Sequence, residues 1–328
     1  MQLVINTYGT YVHVKDQMFE VIIKKEGQAD KHYFSVKKIQ SIFLNKGTAL
    51  STDAIIMAIK NNIDIVVSEN DGVPVGRFWH SRPGSTTKIR KKQLEASLNK
   101  LAVYWVAKWL DIKTGNQIEF LKKLKKHRKT KADFIQNAIQ QIETLKEKFN
   151  NAKADNITEV EGSFRGWEGT SGRIYFKTLS ALLSSQYQFN GRSFRPALDP
   201  FNAFLNYGYG ILYSRVEKAL VIAGLDPYTG FMHRDDYNTK SLVFDFIEPY
   251  RIIAEEVVFK LFSAKKVNSS QFDEMAKGYM LNKTGKAIMV EKFFKFFEEE
   301  KIKYKGRNQS RSNALQMDAH DFANSLIK

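Results

Sequence analysis

The stretch His80-Ser81-Arg82-Pro83-Gly84-Ser85-Thr86-Thr87 divides the chain. It has no apolar period, and Pro83 and Gly84 both break regular structure, so it reads as a domain linker. Before it, β-branched and aromatic residues cluster in short runs such as Tyr11-Val12-His13-Val14 and Phe19-Glu20-Val21-Ile22-Ile23, which predict strands. Residues 63–67 and 73–79 flank Asn70-Asp71-Gly72, whose Asp-Gly pair tolerates the positive φ of a tight hairpin turn. One short helix interrupts the strands, capped by Ser51, Thr52 or Asp53, with Ile55, Ile56 and Ile59 at helical spacing and Asn61-Asn62 as its stop. After the linker, residues 88–153 read as helix with Leu94, Leu98, Leu101 and Trp105 as an apolar stripe. Residues 201–223 form a second long helix, with Asp199 as cap, Pro200 in the first turn and Gly224 at the end. The expected fold is α+β. A β-rich, sandwich-like domain with one short helix spans 1–80, a linker 81–90, and a larger all-α domain 91–302. Residues 303–328 are expected to be a polar, mobile tail ending in a short helix through Leu315, Phe322 and Leu326.

The 328 residues hold 51 Lys and Arg against 35 Asp and Glu, a net charge of +16 that excludes an acidic carrier and favours polyanionic partners, nucleic acid foremost. Charge alone does not establish that partner. The cluster within residues 122–131 scatters around its helix and reads equally well as a solvated face. A hydrophobic content of 43% decides for packed cores over disorder. With no cysteine there is no disulfide, thiol nucleophile or thiolate-bound metal, so any metal must sit on oxygen and imidazole. No apolar run reaches the roughly 18 residues a membrane span needs, and residues 1–10 lack a signal-peptide pattern. A cytoplasmic location without membrane contact is expected.

Three places carry candidate chemistry. Glu168 has Ser171 and Gly172 at i+3 and i+4, small residues that leave space beside the acid, with Arg173 and Tyr175 close by as a cation and a stacking surface. The alternative is a glutamate near a helix N-terminus, favoured by the helix dipole. His233 follows a turn built on Pro227 and Gly230, which presents the imidazole from a loop. Asp245 and Glu248, at i and i+3, lie on one helix face within reach of a common point; the alternative is a structural ion pair with Arg251. Pro249 breaks the rules for a helix interior there. Two or three carboxylates with one imidazole suit Mg²⁺ or Mn²⁺, ions that assist phosphodiester chemistry. Asn202, Asn206 and Tyr209 place polar groups on one face of an apolar helix, either in a core hydrogen-bond network or lining a cleft.

The order Glu168-Gly-x-x-x-Arg173-x-Tyr175-Phe176, Asn190-Gly191-Arg192-Ser193-Phe194-Arg195-Pro196, Asp199-Pro200-Phe201-Asn202-Ala203, Gly224-Leu225-Asp226-Pro227-Tyr228-x-Gly230-Phe231-x-His233 and Ser241-Leu242-x-x-Asp245-x-x-Glu248 closely resembles the CRISPR-associated integrase family Cas1. The resemblance runs from about Glu168 to Arg251. It implies a metal site and catalytic centre of Glu168, His233 and Glu248, with Asp245 as an accessory acid. It also implies a homodimer formed through the β-rich domains and a complex with the small partner Cas2.

The implied reaction is spacer integration during CRISPR adaptation. A 3′-hydroxyl of a short DNA duplex, the spacer precursor, attacks a phosphodiester of the CRISPR repeat, and the enzyme can also act as an endonuclease. No G-x-x-x-x-G-K-[ST] loop is present, as expected for a transesterification that needs no nucleotide fuel. Arg173, Arg192, Arg195, Lys240 and Arg251 are candidate phosphate contacts, with Tyr175 and Tyr237 packing on sugar or base. The rival readings are a hydrolytic nuclease or branched-DNA resolving enzyme using the same metal, and a metal-free DNA-binding scaffold.

Overall fold

The computed structural model describes residues 2–25, 28–39, 41–69, 74–78, 86–233 and 239–327. It is α+β and divides into two compact units, Met1–Pro83 and Gly84–Lys328. The first unit holds strands β1 (Gln2–Ile5), β2 (Tyr11–Lys15), β3 (Met18–Lys25), β4 (Gln28–Ser35), β5 (Ser41–Asn45) and β6 (Ala49–Leu50), helix α1 (Thr52–Lys60), and strands β7 (Asp64–Ser68) and β8 (Pro74–Phe78). Two four-stranded sheets form, in the orders β1-β5-β7-β8 and β4-β3-β2-β6. In the first, β1, β5 and β7 run parallel and α1 lies in the crossover between β5 and β7. Leu3, Ile42 and Ile65 of one sheet share a core with Val12 and Phe19 of the other and with Ala54 and Ala58 of α1.

Ser51 is the cap of α1, its hydroxyl accepting from the Ala54 N–H at 3.2 Å. The helix buries Ala54 and Ala58 and leaves Ile56 exposed, so its tightest face is the small one rather than the isoleucine stripe. The turn Asn70-Asp71-Gly72 lies outside the described residues; the strands β7 and β8 on either side of it pair antiparallel.

The second unit contains helices α2 (Thr86–Ser97), α3 (Lys100–Lys126), α4 (Ala132–Asn151), α5 (Glu161–Ala181), α6 (Pro200–Ile222), α7 (Ser241–Phe246) and α8 (Arg251–Ser263). A hairpin β9 (Phe272–Met275) and β10 (Gly278–Leu281), helix α9 (Lys283–Phe294), a second hairpin β11 (Lys301–Tyr304) and β12 (Arg307–Ser310), and helix α10 (Arg311–Ile327) complete it. The expected limits of α6 hold: the Asp199 carboxylate accepts from the Asn202 N–H at 2.7 Å and Pro200 stands in the first turn.

Three expectations are corrected here. Residues 86–90 of the expected linker are the first turn of α2, because Thr86 and Ile89 are buried where Gly224 leaves room for them. Leu94 and Leu98 are exposed; α2 buries Ile89, Gln93 and Ala96 instead. The tail is ordered. Leu315, Ala319, Phe322, Ala323 and Leu326 recur at helical spacing on α10 and are buried, and the Phe322 ring packs against Trp105, Trp109, Phe231 and Phe246. A polar composition concealed a full apolar stripe. Among the described residues no helix is long and apolar enough to cross a membrane.

Candidate active site

The aromatic cluster around Trp109 positions the site. Trp109 of α3 stacks on Phe231 at 5.9 Å and meets Phe246 edge-on at 5.6 Å, which pins both the loop before His233 and the end of α7 to α3. One turn along α3 from Trp109 comes Lys113, on the same buried face.

The loop that presents His233 is clamped from three helices. Gln93 of α2 donates to the Asp226 and Thr229 carbonyls at 2.8 Å each and accepts from the Asp226 N–H at 2.9 Å. Arg165 of α5 donates to the Met232 carbonyl at 3.0 Å. Asp245 of α7 accepts from the N–H groups of Phe231, Met232 and His233 at 2.6, 3.0 and 3.2 Å. Its Oδ1 also lies 2.6 Å from His233 Nδ1. A carboxylate in that position accepts a hydrogen bond from Nδ1–H, which leaves the Nε2 lone pair free for a metal or a proton.

Asp245 and Glu248 engage different groups. Pro249 cannot continue the α ladder, so α7 stops at Phe246 and Glu248–Tyr250 winds as a 3₁₀ turn before α8 begins. Asp245 turns to the His233 loop with both oxygens engaged. Glu248 turns to α3, where Asn116 holds the turn by donating to the Pro249 carbonyl at 2.8 Å.

Glu168 and Glu248 meet at Lys113. The Lys113 ammonium donates to Glu168 Oε1 and lies 2.5 Å from Glu248 Oε2. Arg251 Nε donates to Glu248 Oε1 at 2.8 Å, and its guanidinium lies over the Tyr209 ring at 4.9 Å. Burial alone would raise the Glu248 pKa, but the charges of Arg251 and Lys113 outweigh it and hold the carboxyl at about 2. Burial likewise opposes the charge on Lys113, yet Glu248 and Glu168 push its pKa above the usual lysine value. Glu168 is the accessible member, its side chain 33% exposed in the middle of α5 rather than at a helix start. Gly172 leaves open space beside it, whereas Ser171 is buried. Among the described residues no three His, Asp or Glu groups stand close enough together to hold a metal ion. Two of the three expected ligands share one cationic centre, and the third is fixed by Asp245.

The expected DNA contacts separate by exposure. Tyr175 is fully buried and cannot stack on a base, which corrects that reading. Arg192 is held inside by Asn202 and Asn206 and lies over Tyr209 at 5.2 Å, so the polar stripe of α6 belongs to a core network. Lys240 pairs with Glu217 at 2.8 Å, and Arg251 serves Glu248. Arg173 and Arg195 are exposed. Tyr237 lies outside the described residues. Sequence reasoning missed Lys113 and Gln93; the available signal was a polar residue at each of these positions on an otherwise buried helix face, Val106, Trp109, Leu110, Lys113 and Ile89, Gln93, Ala96.

A small strand-rich unit followed by a helical unit in which two carboxylates share one lysine ammonium defines the class: a two-unit α+β protein. The family described as "CRISPR associated protein Cas1" matches residues 3–295, and the chain belongs to that family. It is 30% identical over 332 residues to the CRISPR-associated endonuclease Cas1 1 of Archaeoglobus fulgidus, covering 98% of this chain and 95% of the relative. A casposase bound to integration product has the same fold, with a TM-score of 0.79 at 21% identity over 99% of this chain and 90% of that one. So does part of a Cas6-RT-Cas1–Cas2 complex, with a TM-score of 0.75 at 21% identity over 99% of this chain and 35% of that one.

Proposed function

We propose that the protein is the integrase of CRISPR adaptation, a Mg²⁺- or Mn²⁺-dependent enzyme that joins short DNA duplexes to CRISPR repeats by transesterification. The observation that carries this reading is the convergence of Glu168 and Glu248 on one cationic centre, with the His233 imidazole separately locked by Asp245. Hard carboxylate oxygens with one imidazole nitrogen suit either ion, and the lysine ammonium stands where the two carboxylates would share a cation. Glu168, Glu248 and His233 Nε2 are the residues that would hold it. When bound, the ion supplies charge for the phosphate and for the oxygen that leaves.

The chain's own residues do the rest. Asp245 keeps the His233 imidazole in one tautomer and one orientation, while Arg251 and the Tyr209 ring fix the Glu248 carboxylate from behind. Arg173 and Arg195 meet the phosphate backbone. The attacking 3′-oxygen forms a bond to phosphorus as the repeat's own 3′-oxygen leaves, so the number of phosphodiesters is unchanged and no nucleotide is consumed. The casposase relative with its integration product and the Cas1–Cas2 complex support DNA and a Cas2-like protein as partners, and a homodimer through the strand-rich unit completes the assembly.

A metal-free scaffold is the second reading, favoured by the ion pairs that Glu168 and Glu248 already make. Labelled duplexes with free or blocked 3′ ends, mixed with a repeat-bearing plasmid and Mn²⁺, separate the readings. Covalently joined branched product that needs a free 3′ end and is lost on adding a chelator and in Glu168→Gln and His233→Ala supports the integrase. Nicking with no joined product indicates hydrolysis, and binding without chemistry indicates the scaffold.

A further inference from the structure

The basic cluster at the end of α3 divides in two once the helices are packed. Lys122 pairs with Glu119 at 3.1 Å and with Glu143 at 3.6 Å, and Lys125 donates to Gln136 at 2.7 Å, so these two serve their own surface. Lys126, Arg128, Lys129 and Lys131 behave differently. With residues 181–184 at the end of α5 they line a concavity of about 620 Å³. No carboxylate lines it, and among the described residues none pairs with any of the four cations. Arg128 is anchored, donating to the Ser263 hydroxyl at 3.0 Å and lying over the Phe259 ring at 5.3 Å, and the three lysines stand exposed around it.

Two of those lysines sit where the fold does not want them. Cations suit a helix C-terminus, which accounts for Lys125 and Lys126 at the end of α3. Lys129 and Lys131 instead form the 3₁₀ turn that opens α4, at the positive end of its dipole, where an acid would stabilise. Lys131 holds the cap position and its side chain caps nothing. Like charges at the wrong end of a helix, in a pocket without a counter-charge, break a local rule, and such departures gather at functional sites. A larger concavity of about 770 Å³ in the same unit, between α3 and residues 149–159, shows the contrast: Lys100, Lys108 and Lys153 face Asp111, Asp155 and Glu159 there, and the charges balance.

The position of the basic pocket relates it to the candidate active site. At a rise of about 1.5 Å per residue, Lys126 stands about 20 Å along α3 from Lys113, and Ala181 stands the same distance along α5 from Glu168. The two helices meet at Lys113 and Glu168 and again at the pocket, so they run side by side in one direction. About 20 Å is the length of about six base pairs of duplex, and one double helix that reaches Glu168 can reach the pocket too.

We propose that the pocket at the α3–α4 turn is a second anchorage for duplex DNA, in which Lys126, Lys129 and Lys131 hold backbone phosphates about 20 Å from the Lys113–Glu168 pair. This rests on the reading of the protein as an enzyme that acts on DNA. Ammonium groups on phosphate oxygens fix the register of a duplex without reading its sequence, so these lysines position the substrate and take no part in the chemistry.

The test is fluorescence anisotropy of a labelled duplex against salt, on the full-length protein with a chelator present so that no metal contributes. Lys126→Gln, Lys129→Gln and Lys131→Gln together are expected to weaken binding roughly tenfold or more at about 0.1 M salt, and to reduce the slope of log affinity against log salt by about 2 to 3. Lys100→Gln, Lys108→Gln and Lys153→Gln together remove the same charge from the balanced groove and are expected to change affinity by less than about threefold. Lys129→Glu with Lys131→Glu separates binding from folding. Acids at the start of α4 should leave the melting temperature unchanged or raise it while duplex affinity falls, whereas a structural role predicts a lower melting temperature with affinity kept. Wild-type affinity and slope in the glutamine variant of the pocket overturn the inference, as do equal losses from the two glutamine sets, which mark net charge alone. No duplex binding by wild type overturns the reading of the protein as a DNA enzyme and the inference with it. Should the glutamine variant of the pocket fail to fold, the folded double glutamate variant decides: wild-type affinity overturns the proposal and weakened affinity supports it.

Discussion

Lys113 Nζ lies 2.5 Å from Glu248 Oε2 while also donating to Glu168, so one lysine on α3 joins the start of the 3₁₀ turn to the middle of α5. The two acids differ in how much they depend on it. Glu248 is buried and paired on both oxygens, whereas Glu168 is a third exposed. Breaking a buried pair strands the remaining charges, so Glu248→Gln should lose about 3 kcal/mol of stability, and Glu168→Gln about 1 kcal/mol or less. Urea unfolding of both variants checks the order, which equal losses would contradict.

Asp245 acts through the loop it gathers. It accepts three backbone N–H groups and the His233 imidazole, and α7 carries it on its buried side. Asp245→Asn turns one of those acceptors into a donor facing other donors. Strand transfer should fall about 10- to 100-fold, the range for loss of a group that orients a ligand, and stability by about 2 kcal/mol. A rate equal to wild type in the folded variant would remove Asp245 from the mechanism.

Gly230 is required by close approach rather than by backbone angle. A Cβ there would stand 2.5 Å from Ser241 Cβ and 2.8 Å from the Ser241 carbonyl carbon, neither of them the far end of a flexible side chain. Gly230→Ala must therefore push the loop away from α7 and loosen the Asp245 contacts that hold His233. Loss of strand transfer with DNA affinity retained is the expected result, measured on the same preparation.

The arginines separate by what they touch. Arg195 is exposed and lies over Phe194 at 5.0 Å, and Arg173 is exposed beside Thr170. Alanine at either should weaken duplex binding and reduce the slope of log affinity against log salt by about 1. Arg192→Ala should instead lower the melting temperature and leave that slope intact, because its guanidinium serves Asn202 and Asn206.

The C-terminal segment has an alkaline limit. Tyr304 and Tyr250 both donate to Asp318 of α10, and Lys305 pairs with Asp318 and Asp321. Burial and the Asp318 carboxylate raise the Tyr304 pKa from 10.0 to about 12. A folded-state pKa above the unfolded value means the contribution is whole below pH 10 and is lost as pH rises through about 12. The raised pKa of Lys305 has the same sign. Circular dichroism melts in this window should show a steep fall for wild type and a shallower one for Asp318→Ala, which starts from lower stability.

Features that depend on neighbours in the chain were legible. Pro83 and Gly84 marked the division, Ser51 and Asp199 the helix starts, and the turn residues around Pro227 and Gly230 a rigid loop before His233. Glu168, His233 and Glu248 were legible as chemistry-bearing types. Their company was not, because Lys113 is 55 residues from Glu168 and Gln93 is 133 from Asp226. Tyr175 looked like a stacking platform because an aromatic beside an acid has no visible inside or outside until α5 is packed.

By itself the sequence determined the α+β division, most helix starts and the presence of acids and an imidazole, since capping, turn formation and donor chemistry act within a few residues. Only the tertiary structure decided that Asp245 orients His233 while Glu248 faces Lys113, and that residues 311–327 belong to the core. The reason is geometric: the groups that Asp245 and Glu248 meet come from elements distant in sequence, and the contacts that matter lie between helices whose packing no local pattern encodes.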